Sequence, residues 1–318
     1  MKIAIIGSGA AGSVFAGYLR KGGADDITLV DLYKAHMNKV AAEGLVLRSP
    51  DGEFHLTGFK TAYSAENIGV MDIVILMVKA TQTDSAMEGA KSCIGPDTVV
   101  ATLQNGLGND ENVKKFVPAS RIIFGAGNMG TELPEPGVCV AKPAKGNNMF
   151  IGPAEKSAVT DAAGAYLEKC FAAGGLEPKY FDDVRPYVWR KATSNSGFNT
   201  VCAVLRLKIR EVYDDPYGVA LVWQIWHEAA DVAEAMGIPG IWEYMQTEML
   251  NVVNNLGDYY PSMAQDMLMH RRQTEVTCLT GAISDYGKKV GVPTPTCDVL
   301  TQVVEAQQDT YALQYVKQ

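Results

Sequence analysis

A short, largely apolar run, Lys2-Ile3-Ala4-Ile5-Ile6, leads straight into Gly7-Ser8-Gly9-Ala10-Ala11-Gly12, and past a helix-like stretch a second run, Ile27-Thr28-Leu29-Val30, ends on Asp31. Strand, GxGxxG turn, helix, then a strand closed by a carboxylate is the order in which a chain builds a dinucleotide-binding unit. Each glycine has its own reason. Gly7 permits a tight turn, Gly9 lets backbone approach a pyrophosphate, and Gly12 lets helix and strand pack closely. The first free N–H groups of the helix then face the phosphates. The loop Gly7, Ser8, Gly9, Ala10, Ala11 and Gly12 is therefore the expected cofactor cradle. Glycines also punctuate ordinary turns, so the weight rests on the flanking strand and helix.

Asp31 carries a second message. A carboxylate at this strand end accepts hydrogen bonds from both ribose hydroxyls of adenosine and repels a 2′-phosphate, where an NADP site offers an Arg. Two charges in contact interact by roughly 1–4 kcal/mol depending on the effective dielectric, enough for a tenfold preference, so the residue favours NAD(H). Lys34 stands close enough in sequence to reach a phosphate, and a solvated strand-end acid would look the same.

Across 318 residues with 47% hydrophobic content the chain can bury two cores, so two domains are expected. The formal charge of −8 and the lack of a Lys/Arg cluster argue against nucleic acid and anionic membrane surfaces as partners. The first residues resemble a signal peptide superficially, but glycines interrupt the apolar run and Arg20-Lys21 follow it. No apolar stretch approaches the ~20 residues that span a bilayer. Cys93, Cys139, Cys170, Cys202, Cys278 and Cys297 show no close pairing, and the histidines are scattered, so neither a metal site nor a disulfide scaffold is indicated. A cytoplasmic, metal-independent protein is the expectation.

The N-terminal half alternates strand and helix patterns: helix at 34–43, short strands at 45–48 and 54–57, a near-continuous apolar strand Asp72-Ile73-Val74-Ile75-Leu76-Met77-Val78, helix 80–92, then strands 98–103 and 121–125. This is the βαβα order of a doubly wound parallel sheet covered on both faces. Short β-like pieces at 137–141 and 148–152 suggest antiparallel hairpins on the sheet edge, followed by helix 154–173 and strand 178–181. Beyond residue 184 long 3.6-period segments take over, at 186–205, 216–236, 240–256, 262–272, 275–290 and 296–314, with Pro239, Pro261 and Pro293 marking breaks. The expected architecture is an α/β Rossmann-type domain over residues 1–183 and an all-α domain over 184–318. Trp223, Trp226 and the many methionines of the second half read as core.

Three blocks could carry chemistry. Ligands of an open α/β sheet lie beyond the carboxyl ends of its strands, where Val78-Lys79-Ala80-Thr81-Gln82 follows one buried strand and Gln104-Asn105-Gly106-Leu107-Gly108 another. Lys79 can meet phosphate or ribose oxygens, Gln82 can approach the nicotinamide half, and the Asn105 amide can donate and accept at once. A solvated lysine and an ordinary turn are the plain alternatives. The third block opens the helical half: Trp189-Arg190-Lys191-Ala192-Thr193-Ser194-Asn195-Ser196-Gly197-Phe198-Asn199. Lys191, Asn195 and Asn199 drift by only about 40° per step and project from one side of a helix. Asn is a poor helix former, so two of them beside a glycine point to a ligand, with a solvated helix face as the plain alternative. Later, Ser262 reads as an N-cap and Glu275 as a first-turn acid, roles that need no active site.

Together GSGAAG, VKATQ, LQNGLG, WRKATSNSGFN, PSMAQD and RQTEV resemble the ketopantoate reductase (2-dehydropantoate 2-reductase) family along the whole chain. The resemblance implies a Rossmann domain joined to a helical domain with substrate bound between them, and hydride transfer from reduced nicotinamide to the carbonyl of a 2-oxo acid in pantothenate biosynthesis. It implies that Lys191 is the general acid that protonates the carbonyl oxygen, with its pKa lowered by partial burial. Asn195, Asn199 and Ser262 would hold the substrate's hydroxyl and carboxylate, and Glu275 would orient the substrate or Lys191. Asn105 would sit near nicotinamide and substrate, and Lys79 and Gln82 on the cofactor side. Two departures stand out. The family places a basic residue where this chain has Asp31, and most members use NADP(H). The segment from Asp266 to Glu275 is also one residue longer than the usual pattern, which in a helix rotates the residues beyond it by about 100° unless a loop absorbs it.

An NAD(P)H-dependent 2-oxo-acid reductase is the leading expectation, as a homodimer by family analogy. An NAD-dependent D-2-hydroxyacid dehydrogenase acting on mandelate-like or branched acids is the neighbouring alternative. A non-catalytic nucleotide-sensing protein is the alternative of another class, against which the Lys–Asn–Asn face and Glu275 speak.

Overall fold

The structure, a computed structural model, describes residues 1–146 and 148–314. The chain divides into two compact units, one comprising Met1–Gln104 and Asn109–Val184, the other Asn105–Gly108 and Arg185–Gln318. In chain order the strands are β1 (Lys2–Ile6), β2 (Asp26–Val30), β3 (Leu45–Ser49), β4 (Gly52–Leu56), β5 (Lys60–Ala62), β6 (Met71–Leu76), β7 (Ile94–Thr102), β8 (Ile122–Gly127), β9 (Met129–Glu135), β10 (Val138–Pro143), β11 (Met149–Pro153) and β12 (Pro178–Tyr180). The helices of the first unit are α1 (Ala10–Lys21), α2 (Lys34–Glu43), α3 (Thr83–Gly89), α4 (Asn109–Lys114) and α5 (Ala158–Gly174).

An eight-stranded sheet of order β12-β11-β8-β7-β6-β1-β2-β5 forms the first unit's spine, parallel except where β11 pairs antiparallel with β8. Its central strands send alternate residues into different cores. Ile3 and Ile5 of β1 join Ile73, Ile75, Val99 and Ala101 on one face. Ala4 and Ile6 join Val74, Leu76 and Val100 on the other. Cover on both faces is why these strands read as continuous apolar runs rather than alternating ones.

The pieces expected as hairpins on the sheet edge build something else. β10 belongs to a separate four-stranded sheet of order β4-β3-β10-β9, while β11 joins the main sheet. The physical reason lies in α1, whose residues Gly12–Leu19 are all buried. A helix that is apolar all round needs cover on its second side. Leu45, Leu47, Cys139 and Ala141 of the second sheet supply it, and a Cβ on Gly17 would stand 3.2 Å from Leu47 Cδ2. The helix expected over 80–92 is broken into a 3₁₀ turn Ala80–Gln82, α3, and a 3₁₀ turn Lys91–Cys93.

The second unit is helical: α6 (Arg185–Leu205), α7 (Ile209–Asp214), α8 (Pro216–Ala235), α9 (Ile241–Leu256), α10 (Ser262–Gln265), α11 (Thr280–Val290) and α12 (Pro295–Asp309). α6 packs against α8, α9, α10 and α12. Gly197 lets α8 approach, since a Cβ there would lie 2.4 Å from Trp226 Nε1. Trp226 is fully buried and meets Phe198 and Trp223 edge-on at 5.7 and 5.3 Å, a packing role for the tryptophans. The helix expected over 262–272 stops early: α10 gives way to a π-helical turn Asp266–His270, and Arg271 turns left-handed at φ 47°. Ser262 is the first residue of α10 rather than its N-cap, a place taken by Pro261. No helix among the described residues is long and apolar enough to cross a membrane.

Candidate active site

The glycine loop begins where β1 ends. Gly7 adopts φ 90°, and a Cβ there would fall 2.4 Å from the Val78 nitrogen; one on Gly12 would fall 2.2 Å from the Gly7 oxygen. Both glycines are required by the fold itself. Gly9 differs, because a Cβ on it would meet nothing within 4 Å. Gly9 is also the N-cap of α1, with no side chain capping the helix. Open space before uncapped helical N–H groups suits a pyrophosphate, and the residues present fit that group.

Behind the loop lies a hydrogen-bond chain that sequence reasoning missed. His36 is wholly buried. Its Nδ1 accepts from the Gly137 N–H at 2.9 Å, and its Nε2 lies 2.9 Å from Ser13 Oγ, which donates to the Ser8 carbonyl at 2.8 Å. Ser8 Oγ in turn donates to the Ile5 carbonyl and accepts from the Val30 N–H. The available signal was a histidine on the inward face of α2, beside Met37 and Val40. Desolvation is the largest influence on its pKa and pushes it down.

At the end of β2, Asp31 Oδ1 accepts from the Tyr33 N–H at 2.8 Å, which fixes the carboxylate's direction. Leu32 beside it is 84% exposed, an apolar surface on which a flat base can lie. Lys34 Nζ sits 5.7 Å from the centre of the Tyr63 ring. Lys79 is the residue before the Ala80–Gln82 turn, and the Gln82 N–H donates to its carbonyl. Gln104 is structural here: its amide nitrogen donates to Val78 O and Thr83 Oγ1 at 2.8 and 2.9 Å, and its oxygen accepts from Thr102 Oγ1 at 2.8 Å.

The Gln104-Asn105 bond is where the chain passes from one unit to the other. Asn105–Gly108 folds with the helices, and Gly106 (φ 95°) makes that possible, since a Cβ there would be 2.4 Å from the Cys278 carbonyl. The Leu107 N–H donates to that same carbonyl at 2.8 Å. Asn105 is thus held beside the turn that carries Glu275. Asn105, Asn195, Asn199, Ser262, Asp266 and Glu275 line one small, tightly closed cavity, with Met263 and Leu279 as its apolar wall. Lys191 joins it through Asn105, whose side-chain oxygen accepts from the ammonium at 2.8 Å. Desolvation drives the Lys191 pKa from 10.5 down to about 8, against an upward pull from Glu275. Five of the six second-unit residues singled out in the sequence therefore line this cavity, and the sixth, Lys191, is bonded to one of them. The segment between Asp266 and Glu275 contains a π turn, which holds one residue more than an α turn, and Glu275 lines the cavity beyond it. Asp266 was overlooked, although its spacing from Ser262 places both on one helix face.

An ammonium with a lowered pKa, backed by a carboxylate and ringed by amides, can protonate an oxygen and hold a small polar anion. The comparisons with known proteins agree in kind. Residues 3–156 match the model of the family described as Ketopantoate reductase PanE/ApbA, and residues 183–308 match the model of its C-terminal part. A 2-dehydropantoate 2-reductase from Lactococcus lactis is 30% identical, covering 97% of this chain and 98% of its own. One from Streptococcus pyogenes is 29% identical over 99% of this chain and all of its own. Among solved structures, a D-mandelate dehydrogenase with NADH and anilino(oxo)acetate is 30% identical with a TM-score of 0.87, covering 99% of this chain and all of that one.

Proposed function

The chain belongs to the ketopantoate reductase family, and from that premise we propose that it reduces the carbonyl of a 2-oxo acid, 2-dehydropantoate before others, at the expense of a nicotinamide dinucleotide. The observation that carries this reading is Lys191, whose Nζ is 2.8 Å from Asn105 Oδ1 and whose pKa is brought down to about 8. The reduced cofactor supplies the hydride when bound, and the loop Gly7–Gly12 with Asp31, Lys79 and Gln82 is where this chain would hold it.

The chain's own residues manage the proton and the charge. As the carbonyl oxygen gains negative charge, the Lys191 ammonium neutralises it and delivers a proton. With a pKa about 8 the amine is protonated by roughly ten to one at pH 7, yet it releases the proton far more readily than an ordinary lysine. Asn105 keeps the ammonium directed, and Glu275 sustains its protonated form. Asn195, Asn199 and Ser262 offer the amide and hydroxyl groups that would hold the substrate's carboxylate and hydroxyl. Met263 and Leu279, both nearly fully buried, give its carbon skeleton an apolar wall.

Two further points belong to the same proposal. Asp31 supports NAD(H) over NADP(H), and the likeness to a D-mandelate dehydrogenase with NADH keeps a dehydrogenase for other D-2-hydroxy acids as the second reading. A cytoplasmic homodimer is the expected state, which gel filtration of the purified chain tests. The deciding experiment is a spectrophotometric panel of 2-oxo acids against NADH and NADPH. Fastest turnover with 2-dehydropantoate supports the first reading and fastest turnover with benzoylformate the second. No oxidation of either cofactor with any 2-oxo acid overturns both and favours a nucleotide sensor.

A further inference from the structure

Asp266 lines the same cavity as Glu275, and its side chain is 8% exposed. One of its carboxylate oxygens accepts from Arg272 Nε at 2.5 Å. Its main-chain oxygen accepts from the N–H groups of Arg271 and Arg272, the second at 3.1 Å. Those bonds close the π turn Asp266–His270, and the residue that completes the closure, Arg271, sits at φ 47° and ψ 50°, a region that non-glycine residues enter at a cost. The chain leaving the turn is strapped down. The Tyr311 hydroxyl donates to the Arg272 carbonyl at 3.0 Å, and Gln308 Oε1 accepts from both the N–H and the hydroxyl of Thr274 at 3.0 and 2.9 Å. The next residue is Glu275.

An ion pair whose arginine is 57% exposed contributes little to stability, so its effect has to be sought in geometry. A turn with one residue too many has a choice: rotate the chain beyond it, or bulge and be held in the bulge. We infer that Asp266 and Arg272 are positioning residues, whose ion pair holds the π turn closed and so delivers the Glu275 carboxylate to the cavity beside Lys191. The inference rests on the reading of this cavity as the active site. It assigns a task to a buried carboxylate that the proton-transfer scheme does not use.

The test exploits a difference of sign. Arg272 is a cation, so its removal acting through the electric field alone would raise the Lys191 pKa. If Arg272 acts by holding Glu275 in place, its removal lowers that pKa, because Glu275 is the group that raises it. The titration of Lys191 is read on the full-length chain by NMR of ¹⁵N-labelled lysine side chains, assigned with Lys191→Arg. Arg272→Ala is expected to lower the Lys191 midpoint by roughly 0.5–1 unit, as Glu275→Gln does. Arg272→Lys is expected to restore most of it. Adding Arg272→Ala to Glu275→Gln is expected to lower it no further. A midpoint that rises or stays fixed in Arg272→Ala, or a further fall on the Glu275→Gln background, overturns the inference. The readout needs no turnover, so a failed 2-oxo-acid panel removes the proposed function without deciding this question.

Discussion

Lys191 of α6 donates a hydrogen bond of 2.8 Å to the side-chain oxygen of Asn105, a residue 86 positions earlier in the chain. The contact exists because the chain changes allegiance between Gln104 and Asn105. Gln104 ties the end of β7 to Val78 and Thr83, while Gly106 seats the next residues on the Cys278 carbonyl. A half-buried amine facing a neutral acceptor loses part of its affinity for a proton without surrendering it. That is the condition in which a lysine serves as an acid near neutral pH.

Removing that amine tests the chemistry directly. Lys191→Ala is expected to lower kcat by at least ~100-fold while NADH binding, followed by fluorescence titration, changes less than about twofold. Asn105→Ala leaves the ammonium in place but undirected, and a loss of about tenfold is expected. Steady-state kinetics with the best 2-oxo acid decide both. Near-normal turnover in Lys191→Ala would remove that residue from the mechanism.

The glycines of the loop separate fold from ligand. Gly7→Ala forces a side chain into φ 90° and onto the Val78 backbone at 2.4 Å, and a loss of about 2–4 kcal/mol, or failure to fold, is expected. Gly9→Ala adds its methyl to open space, so its stability from urea unfolding should lie within about 1 kcal/mol of the parent. Its dinucleotide affinity should still fall at least tenfold, since the methyl occupies the approach to the phosphates. Equal behaviour of the two variants in unfolding and in cofactor titration would contradict this division.

Asp31→Arg replaces the carboxylate proposed to accept from the ribose hydroxyls, at the end of β2, by a group that donates hydrogen bonds to phosphate. The ratio of kcat/KM for NADH to that for NADPH is expected to fall at least tenfold. An unchanged ratio would mean that the 2′ position is recognised elsewhere.

The sequence is legible where the physics is local. Ile3 to Ile6 and Ile73 to Leu76 face cores on both sides of the sheet, and a strand buried on both faces announces itself by composition. Lys191, Asn195 and Asn199 were legible because helical spacing alone sets their common side. The second sheet was not, because it is recruited by α1 being buried all round, a property of a helix that only another element can satisfy. The π turn was illegible for a related reason. An excess of one residue between Asp266 and Glu275 can be noticed in the sequence, but whether it rotates Glu275 or bulges depends on Arg272, Thr274, Gln308 and Tyr311 closing around it. His36 was passed over because metal chemistry was sought among the histidines, whereas its partners are a serine hydroxyl and a backbone N–H.

That histidine gives the stability of the molecule a predictable pH dependence. Nδ1 accepts from the Gly137 N–H and therefore carries no proton. The ring proton sits on Nε2 and is donated to Ser13 Oγ, whose own hydrogen goes to the Ser8 carbonyl. Each bond fixes the next, and a second ring proton would have to point at the Gly137 N–H. Burial holds the His36 pKa below its ordinary value, with desolvation outweighing the upward pulls of Asp31 and of the Ser8 backbone. The unfolded chain therefore binds more protons below the ordinary histidine pKa of about 6.5. The stabilising contribution is complete above that pH, and it is lost as pH falls from about 6.5 through the lowered folded value. Thermal or urea unfolding between about pH 5 and 8 should show this slope. His36→Gln, which has no titrating ring, should flatten it while costing about 1–3 kcal/mol near neutral pH for the bonds left unmade. Because the chain of bonds ends on the Ser8 carbonyl, dinucleotide affinity should weaken in the parent as pH falls through the lowered folded value and lose that dependence in His36→Gln. Parallel pH curves for the two proteins would mean that the imidazole carries no proton linkage at all.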